Sequence, residues 1–258
     1  MHLLDYPFLV FALSFVLLAT SAHVGDAVRR RRGRLDDAER DDLSLVLGAS
    51  LTLLALVIGF TFSMATNRYD QRKSYEEAEA NAIGTEYLRA DLLPAEVAAR
   101  TRRLLEDYVQ QRVLFYTTRD SHRLREINAV TSRLQSELWT TVRMASTAAP
   151  NPLTALAVAG MNDTLNSQGY AQSAWWNRIP GSAWILMLAI GICCNAMFGY
   201  NGRYPEGQRR RLFALPLIAA VAFLLISDVD SPRGGLIRVS PYNLDSVQAS
   251  LHPAPPPP

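Results

Sequence analysis

The sequence predicts an all-α integral membrane protein: a bundle of four transmembrane helices with a helical soluble block inserted between the second and third. Three observations lead there. Apolar residues make up 49% of the 258-residue chain, yet they gather in four blocks with the charges in the gaps. The second block is long enough for a bilayer core of about 30 Å, which takes about 20 apolar residues. The stretch between the second and third blocks is charged and poor in glycine, and its apolar residues recur at helical spacing.

The first block, from about Pro7 to Val24, carries no charge and is followed by Arg29, Arg30, Arg31, Arg32 and Arg34. A secretory signal has its basic residues before the apolar run. Here Asp5 precedes the run, so a retained helix is expected despite the Thr20-Ser21-Ala22 segment. The second block, Leu43 to Ala65, has 23 uncharged residues, twelve of them Leu, Ile, Val or Phe. Those twelve supply roughly −4 to −7 kcal/mol toward insertion, more than the few Ser and Thr residues cost. The third block, Ser182 to Tyr200, starts after Pro180-Gly181, with Trp175, Trp176 and Trp184 at one end and Tyr200 and Tyr204 at the other. Aromatic residues so placed mark the two membrane interfaces. The fourth block, Leu212 to Ser227, is short and contains Pro216. Short spans are accommodated by a thinned bilayer or by neighbouring helices.

The domain organisation follows: 1–66 for the first two spans, 67–180 for the soluble block, 181–228 for the last two spans, and 229–258 as an extended or disordered proline-rich tail. Residues 67–180 hold 14 basic and 13 acidic side chains, with prolines only at 94, 150, 152 and 180. The second span is expected to continue as helix to about Leu92, with further helices from about Ala95 to Tyr116, Ser121 to Ala149 and Leu153 to Trp176. Leu104, Leu105, Tyr108, Val109, Val113 and Leu114 form one apolar stripe; Ile127, Val130, Leu134 and Leu138 form another. Both read as helix-bundle core.

Composition excludes several functions. A net charge of +2 does not suggest a nucleic-acid partner. Lys73 is the single lysine among 26 basic residues, which reads as GC-rich codon usage. Cys193 and Cys194 are adjacent, so a disulfide between them is strained. The four histidines are scattered without metal-ligand spacing, and no metal or cofactor is expected. No P-loop, dinucleotide fingerprint or catalytic Ser/His/Asp set is present, so an enzyme is not expected.

Six arginines between Arg29 and Arg40 and four between Arg203 and Arg211 fall on one side under a four-span topology. The positive-inside rule makes that side cytoplasmic. The N-terminus, residues 67–180 and the C-terminus are then extracytoplasmic.

The second span carries the functional signal. Gly48, Thr52, Ala55, Gly59, Ser63, Thr66 and Asp70 follow one another at spacings of three and four, and the line continues through Ser74, Glu77 and Asn81. Eleven residues are close to three helical turns, so these positions share one face. It is small or polar across the membrane and charged beyond it, while Leu53, Leu54, Val57 and Ile58 lie opposite. The face reads either as a seam for close helix packing or as the lining of a water-filled path with carboxylates at its mouth. Asp70, Glu76, Glu77 and Glu79 either attract cations to a vestibule or form a solvated helix face with Arg72 and Lys73. Asp228 and Asp230 read as a mouth pair, a cation site or backbone caps before Pro232. Asn195, the clearest polar residue of the third span, bonds another helix or faces the path.

The segment Leu56-Val57-Ile58-Gly59-Phe60, with Arg68-Tyr69 following, resembles the second helix of bestrophins. Over nearly its whole length the chain resembles an uncharacterised bacterial bestrophin-like family. The likeness rests on Arg68-Tyr69-Asp70, on Glu77-Ala78-Glu79-Ala80-Asn81-Ala82, and on the run Asp228-Val229-Asp230-Ser231-Pro232-Arg233-Gly234-Gly235-Leu236-Ile237-Arg238-Val239-Ser240. This resemblance implies a multi-pass protein of the bacterial inner membrane, a homo-oligomer in the lipid bilayer that passes inorganic ions. It implies a constriction at Thr52, Leu56 and Phe60, flanked by Gly59 and Ser63, with a vestibule or mouth at Asp70, Glu77, Asp228 and Asp230. Thr52 is polar where bestrophins are apolar, and the acidic calcium cluster of animal bestrophins has no match, so calcium gating is not implied. Bestrophins hold their helical block in the cytoplasm, opposite to the side the arginines indicate. The alternative function is a membrane-anchored interaction or sensory module whose block, 67–180, binds a partner without transport.

Overall fold

A computed structural model describes residues 5–32, 36–202 and 206–251. Among them there are eight α-helices and no strand: α1 Pro7–Arg32, α2 Asp37–Arg89, α3 Ala95–Thr117, α4 Ser121–Ala148, α5 Pro152–Trp176, α6 Gly181–Asn201, α7 Ala214–Asp230 and α8 Tyr242–Leu251. Short 3-10 turns at Ala90–Leu92 and Glu206–Phe213 follow α2 and precede α7. Four helical stretches are long and apolar enough to cross a membrane. They contain the four predicted blocks. The chain divides into two compact units, one of residues 1–69 and 178–238, the other of residues 70–177 and 239–258, and α2 contributes to both.

In the first unit α1 packs on α6 through small residues. A Cβ on Gly25 would lie 2.0 Å from the Ala196 carbonyl oxygen, and one on Gly199 1.9 Å from that of Ala22. Ser21 Oγ donates to the Ile192 carbonyl across this seam at 2.7 Å. Backbones come this close in a membrane helix pair only where side chains are absent or minimal. Val10, Leu18, Ala65, Ile179, Met187, Ala219, Phe223, Ile226 and Val229 form the main core, and Leu47, Leu54 and Cys194 a second cluster where α2 meets α6. Pro216 is the third residue of α7, in the first turn, where no intrahelical N–H bond is lost. Asn195 is fully buried, but its amide donates one turn back within α6, to Gly191. Cys193 and Cys194 are both free thiols.

In the second unit the helix ends lie close to their predicted places because the stop signals are strong. Asp120 accepts from the amides of Arg123 and His122, which cap α4 and hold its carboxyl below the usual range. Asn151 and Thr154 form a capping box at the start of α5, with Pro152 in its first turn. The core stripes differ in detail from the sequence reading. Leu105, Tyr108 and Val109 are buried as expected, but the α3 stripe continues through Arg112, Phe115 and Tyr116, while Leu114 is exposed. On α4, Thr131 is buried where Val130 was expected. An arginine can replace an aliphatic residue in the α3 stripe because Glu79 pairs with it. The tail also differs. Residues 229–258 were expected to be extended or disordered, yet Tyr242–Leu251 is helical. Buried Glu76 accepts from the amides of Asn243 and Leu244 at 3.0 and 2.9 Å and from Asn243 Nδ2 at 2.7 Å, which satisfies the first turn of α8. The proline tract from Pro253 lies outside the described residues.

Candidate functional site: the exposed face of the second span

Each α2 residue is rotated by about 100° from the last. Leu47, Leu54, Thr61 and Ala65 therefore share one side, and all four are buried. About half a turn round lie Thr52, Leu56, Gly59, Phe60 and Ser63, and all five are exposed. Phe60 is 63% exposed and Leu56 53%, and a Cβ on Gly59 would meet no heavy atom within 4 Å. Thr52 is exposed with Leu56 and Phe60, and its hydroxyl turns back to the Gly48 carbonyl at 3.0 Å. Only 11% of the most apolar stretch of α2 is buried within the chain, against 50% for α7. Beside the exposed line, Leu51, Leu54, Ala55, Ile58, Gly59 and Phe62 form one wall of an apolar groove of about 430 Å³, with α7 as the other. Leu53, placed opposite the small and polar face by its spacing, is 49% exposed.

Beyond the membrane the line stays exposed through Asp70, Ser74, Glu77 and Asn81. The four acidic residues grouped in the sequence separate here. Asp70 and Glu77 are exposed, whereas Glu76 and Glu79 are buried, as is Arg72. Arg72 donates to the carbonyls of Ala174 and Asn177. Glu79 pairs with fully buried Arg112 and accepts from Tyr116 Oη at 3.3 Å, and the guanidinium lies 4.4 Å from the Phe115 ring centroid. Sequence reading missed this inner stripe. Its signal is the run Arg72, Glu76, Glu79, Ile83, Glu86 and Ala90 at spacings of three and four, in line with buried Ala65 and all buried themselves. Charge disguised it as surface.

Asp228 and Asp230 are both buried. Asp228 accepts from the amides of Leu236 and Ile237 at 2.7 and 2.9 Å. Asp230 accepts from Arg178 Nε at 3.0 Å and from the Ile179 amide at 3.2 Å, and Arg178 Nη1 reaches Asp5 at 2.6 Å. Both carboxylates thus bind donors of the first unit itself, Asp228 through backbone amides that lie beyond Pro232 rather than before it. Among the described residues no group of three or more His, Cys, Asp or Glu is placed to hold a metal ion.

The geometry defines an all-α membrane protein with four membrane-crossing helices and a second compact helical unit. The family model for the bestrophin-like domain matches residues 13–244, and the chain belongs to that family. No curated protein sequence matches it. Among solved structures it resembles a bacterial bestrophin homologue from Klebsiella pneumoniae, at 12% identity and a TM-score of 0.65, over 95% of this chain and 96% of that one. A variant of that homologue carrying a single tyrosine-to-alanine substitution matches at 12% identity and a TM-score of 0.64, over 93% and 96% of the two chains. At such identity the likeness speaks for the fold.

Proposed function

We propose that the chain assembles as a homo-oligomer in the bacterial plasma membrane and passes inorganic ions along a path lined by α2. The observation that carries this is the exposed face of that helix. A span so little covered by its own chain needs a neighbour, and its groove beside Ala55 and Gly59 accepts a close-packed helix. Thr52, Leu56 and Phe60 then point at the path and constrict it, with Gly59 and Ser63 widening it between and beyond them. Apolar constrictions of this kind gate by dewetting. Asp70 and Glu77 form the vestibule and raise the local cation concentration. Asp228 and Asp230 belong to the mouth as braces, Asp228 holding the loop after α7 and Asp230 the segment before α6. The test is reconstitution of the oligomer in planar bilayers. Wild-type protein should carry current and Phe60→Ala should change it; well-reconstituted oligomers without current would refute the reading.

The arginine-rich ends lie in the cytoplasm in this proposal, with residues 67–180 outside. Reporter fusions at positions 35 and 120 test that against the opposite sidedness of bestrophins. A second reading draws on the compactness of the unit formed by residues 70–177 and 239–258. As a membrane-held interaction module, it would capture one specific protein in the absence of any conductance.

A further inference from the structure

Glu86 lies near the end of α2. It is fully buried, and neither carboxylate oxygen meets a hydrogen-bond donor. An anion buried without donors is strongly disfavoured, and a carboxyl so placed retains its proton instead. The surroundings are shaped to it. Gly160 on α5 faces it, and a Cβ there would lie 2.1 Å from Glu86 Oε2 and 2.4 Å from Arg89 Nη1. The carboxyl therefore fills a notch that exists only because position 160 has no side chain. One turn away on both helices, Thr164 Oγ1 of α5 lies 3.2 Å from the Ala82 carbonyl of α2 and 3.0 Å from that of Gly160, and can donate to either. The two helices are thus also in contact one turn before the acid.

Two charged groups act on Glu86: Arg89 on its own helix attracts the anion, and Asp163 on α5 repels it. Other nearby charges are engaged. Arg102 of α3 pairs with Asp91, and Glu106 of α3 accepts from Tyr87 Oη. From α8, Val247 is the neighbour of Gly84. Burial outweighs the attraction of Arg89 and pushes the carboxyl up to about 8.

We propose that Glu86 is a proton-binding switch within the helical unit: protonated, it seats in the Gly160 notch and lets α5 close on the end of α2; ionised, it draws water into the notch and parts the two helices. This holds whether or not the chain conducts ions. Infrared difference spectra of the full chain in lipid nanodiscs, wild type minus Glu86→Gln, report the protonated carboxyl directly. The band should be present at pH 6.5, half lost near pH 8 and absent at pH 10. Amide exchange protection over residues 156–164, corrected for the intrinsic rate, should fall about thirty-fold between pH 6.5 and 9.5, because the lower value lies ~1.5 pH units below the midpoint, where the closed form still holds a proton that the open form has lost. In Glu86→Gln it should stay level. Gly160→Ala crowds the carboxyl out of its notch, so the band should be lost at lower pH. A band missing at pH 6.5, a band unchanged through pH 10, or the same fall in protection in Glu86→Gln would overturn the proposal.

Discussion

Replacing Arg112 with methionine tests what holds the helical unit together. Arg112 and Glu79 are both fully buried, one on α3 and one on α2, and they pair through two nitrogens of the guanidinium. Methionine keeps much of the volume but removes the charge. Glu79 then retains Tyr116 as its one donor among the described contacts. A buried ion pair broken from one side costs about 3–5 kcal/mol, whereas replacing both partners with apolar residues is often neutral. The single variant should therefore lose roughly 6–20 °C in melting temperature, at about 2–4 °C per kcal/mol for a chain of this size. The double variant Glu79→Met/Arg112→Met should recover most of that loss. Thermal unfolding of the detergent-solubilised protein, followed by circular dichroism, reads all four corners of the cycle. Additive losses would refute the reasoning, because independent sites add and coupled ones do not.

Three further outcomes are expected. Gly199→Val places a branched side chain where a Cβ already lies 1.9 Å from the Ala22 carbonyl, so it should destabilise the α1–α6 seam by at least the ~1–3 kcal/mol typical of overpacking; unchanged thermal stability would show that the seam is loose. Glu76→Ala removes the acceptor for two amides and one side-chain donor, and bonds to charged groups are worth about 1.5–3 kcal/mol each. Limited proteolysis should then cut before Tyr242, where the wild type resists. Glu86 gives a pH dependence with a definite sign. Its folded-state value, about 8, exceeds the ordinary 4.5, so between those values the native state holds more protons than the unfolded one. The stability it contributes is complete below about pH 4.5 and is lost as pH rises to about 8, by at most about 5 kcal/mol. Glu86→Gln should flatten that part of the melting profile.

The helices were legible because their signals are local. Apolar length marks the spans; Pro94, Asp120 and Asn151-Pro152 mark the breaks; and the eleven-residue spacing picks out a face of α2 that is exposed along its length, save for half-buried Thr66. What was not legible depends on partners distant in sequence. Nothing near Glu76 announces that it caps a helix starting at Tyr242, and so the tail read as extended or disordered. Nothing near Arg112 announces Glu79, and so Val113 and Leu114 were taken as core in place of Arg112 and Phe115. Asp228 and Asp230 look like a carboxylate pair in sequence, yet each serves a different set of donors. The residues at the proposed constriction are a different case, since in the proposed assembly what faces them belongs to other copies of the chain.

The clamp of Asp5, Arg178 and Asp230 has a consequence for how the protein is made. Its three members lie at the start, the middle and the last span of the chain. A ribosome adding about 5–20 residues per second needs roughly 10–45 s to go from the first to the third. During that interval the opening helix can be in the bilayer but cannot be tied through Arg178 to the last span. The clamp closes only after α7 is synthesised and inserted, so it marks a chain whose four spans are all in place. A chain truncated before that helix lacks the closure, and offers the quality-control machinery of the membrane a guanidinium without its buried carboxylate.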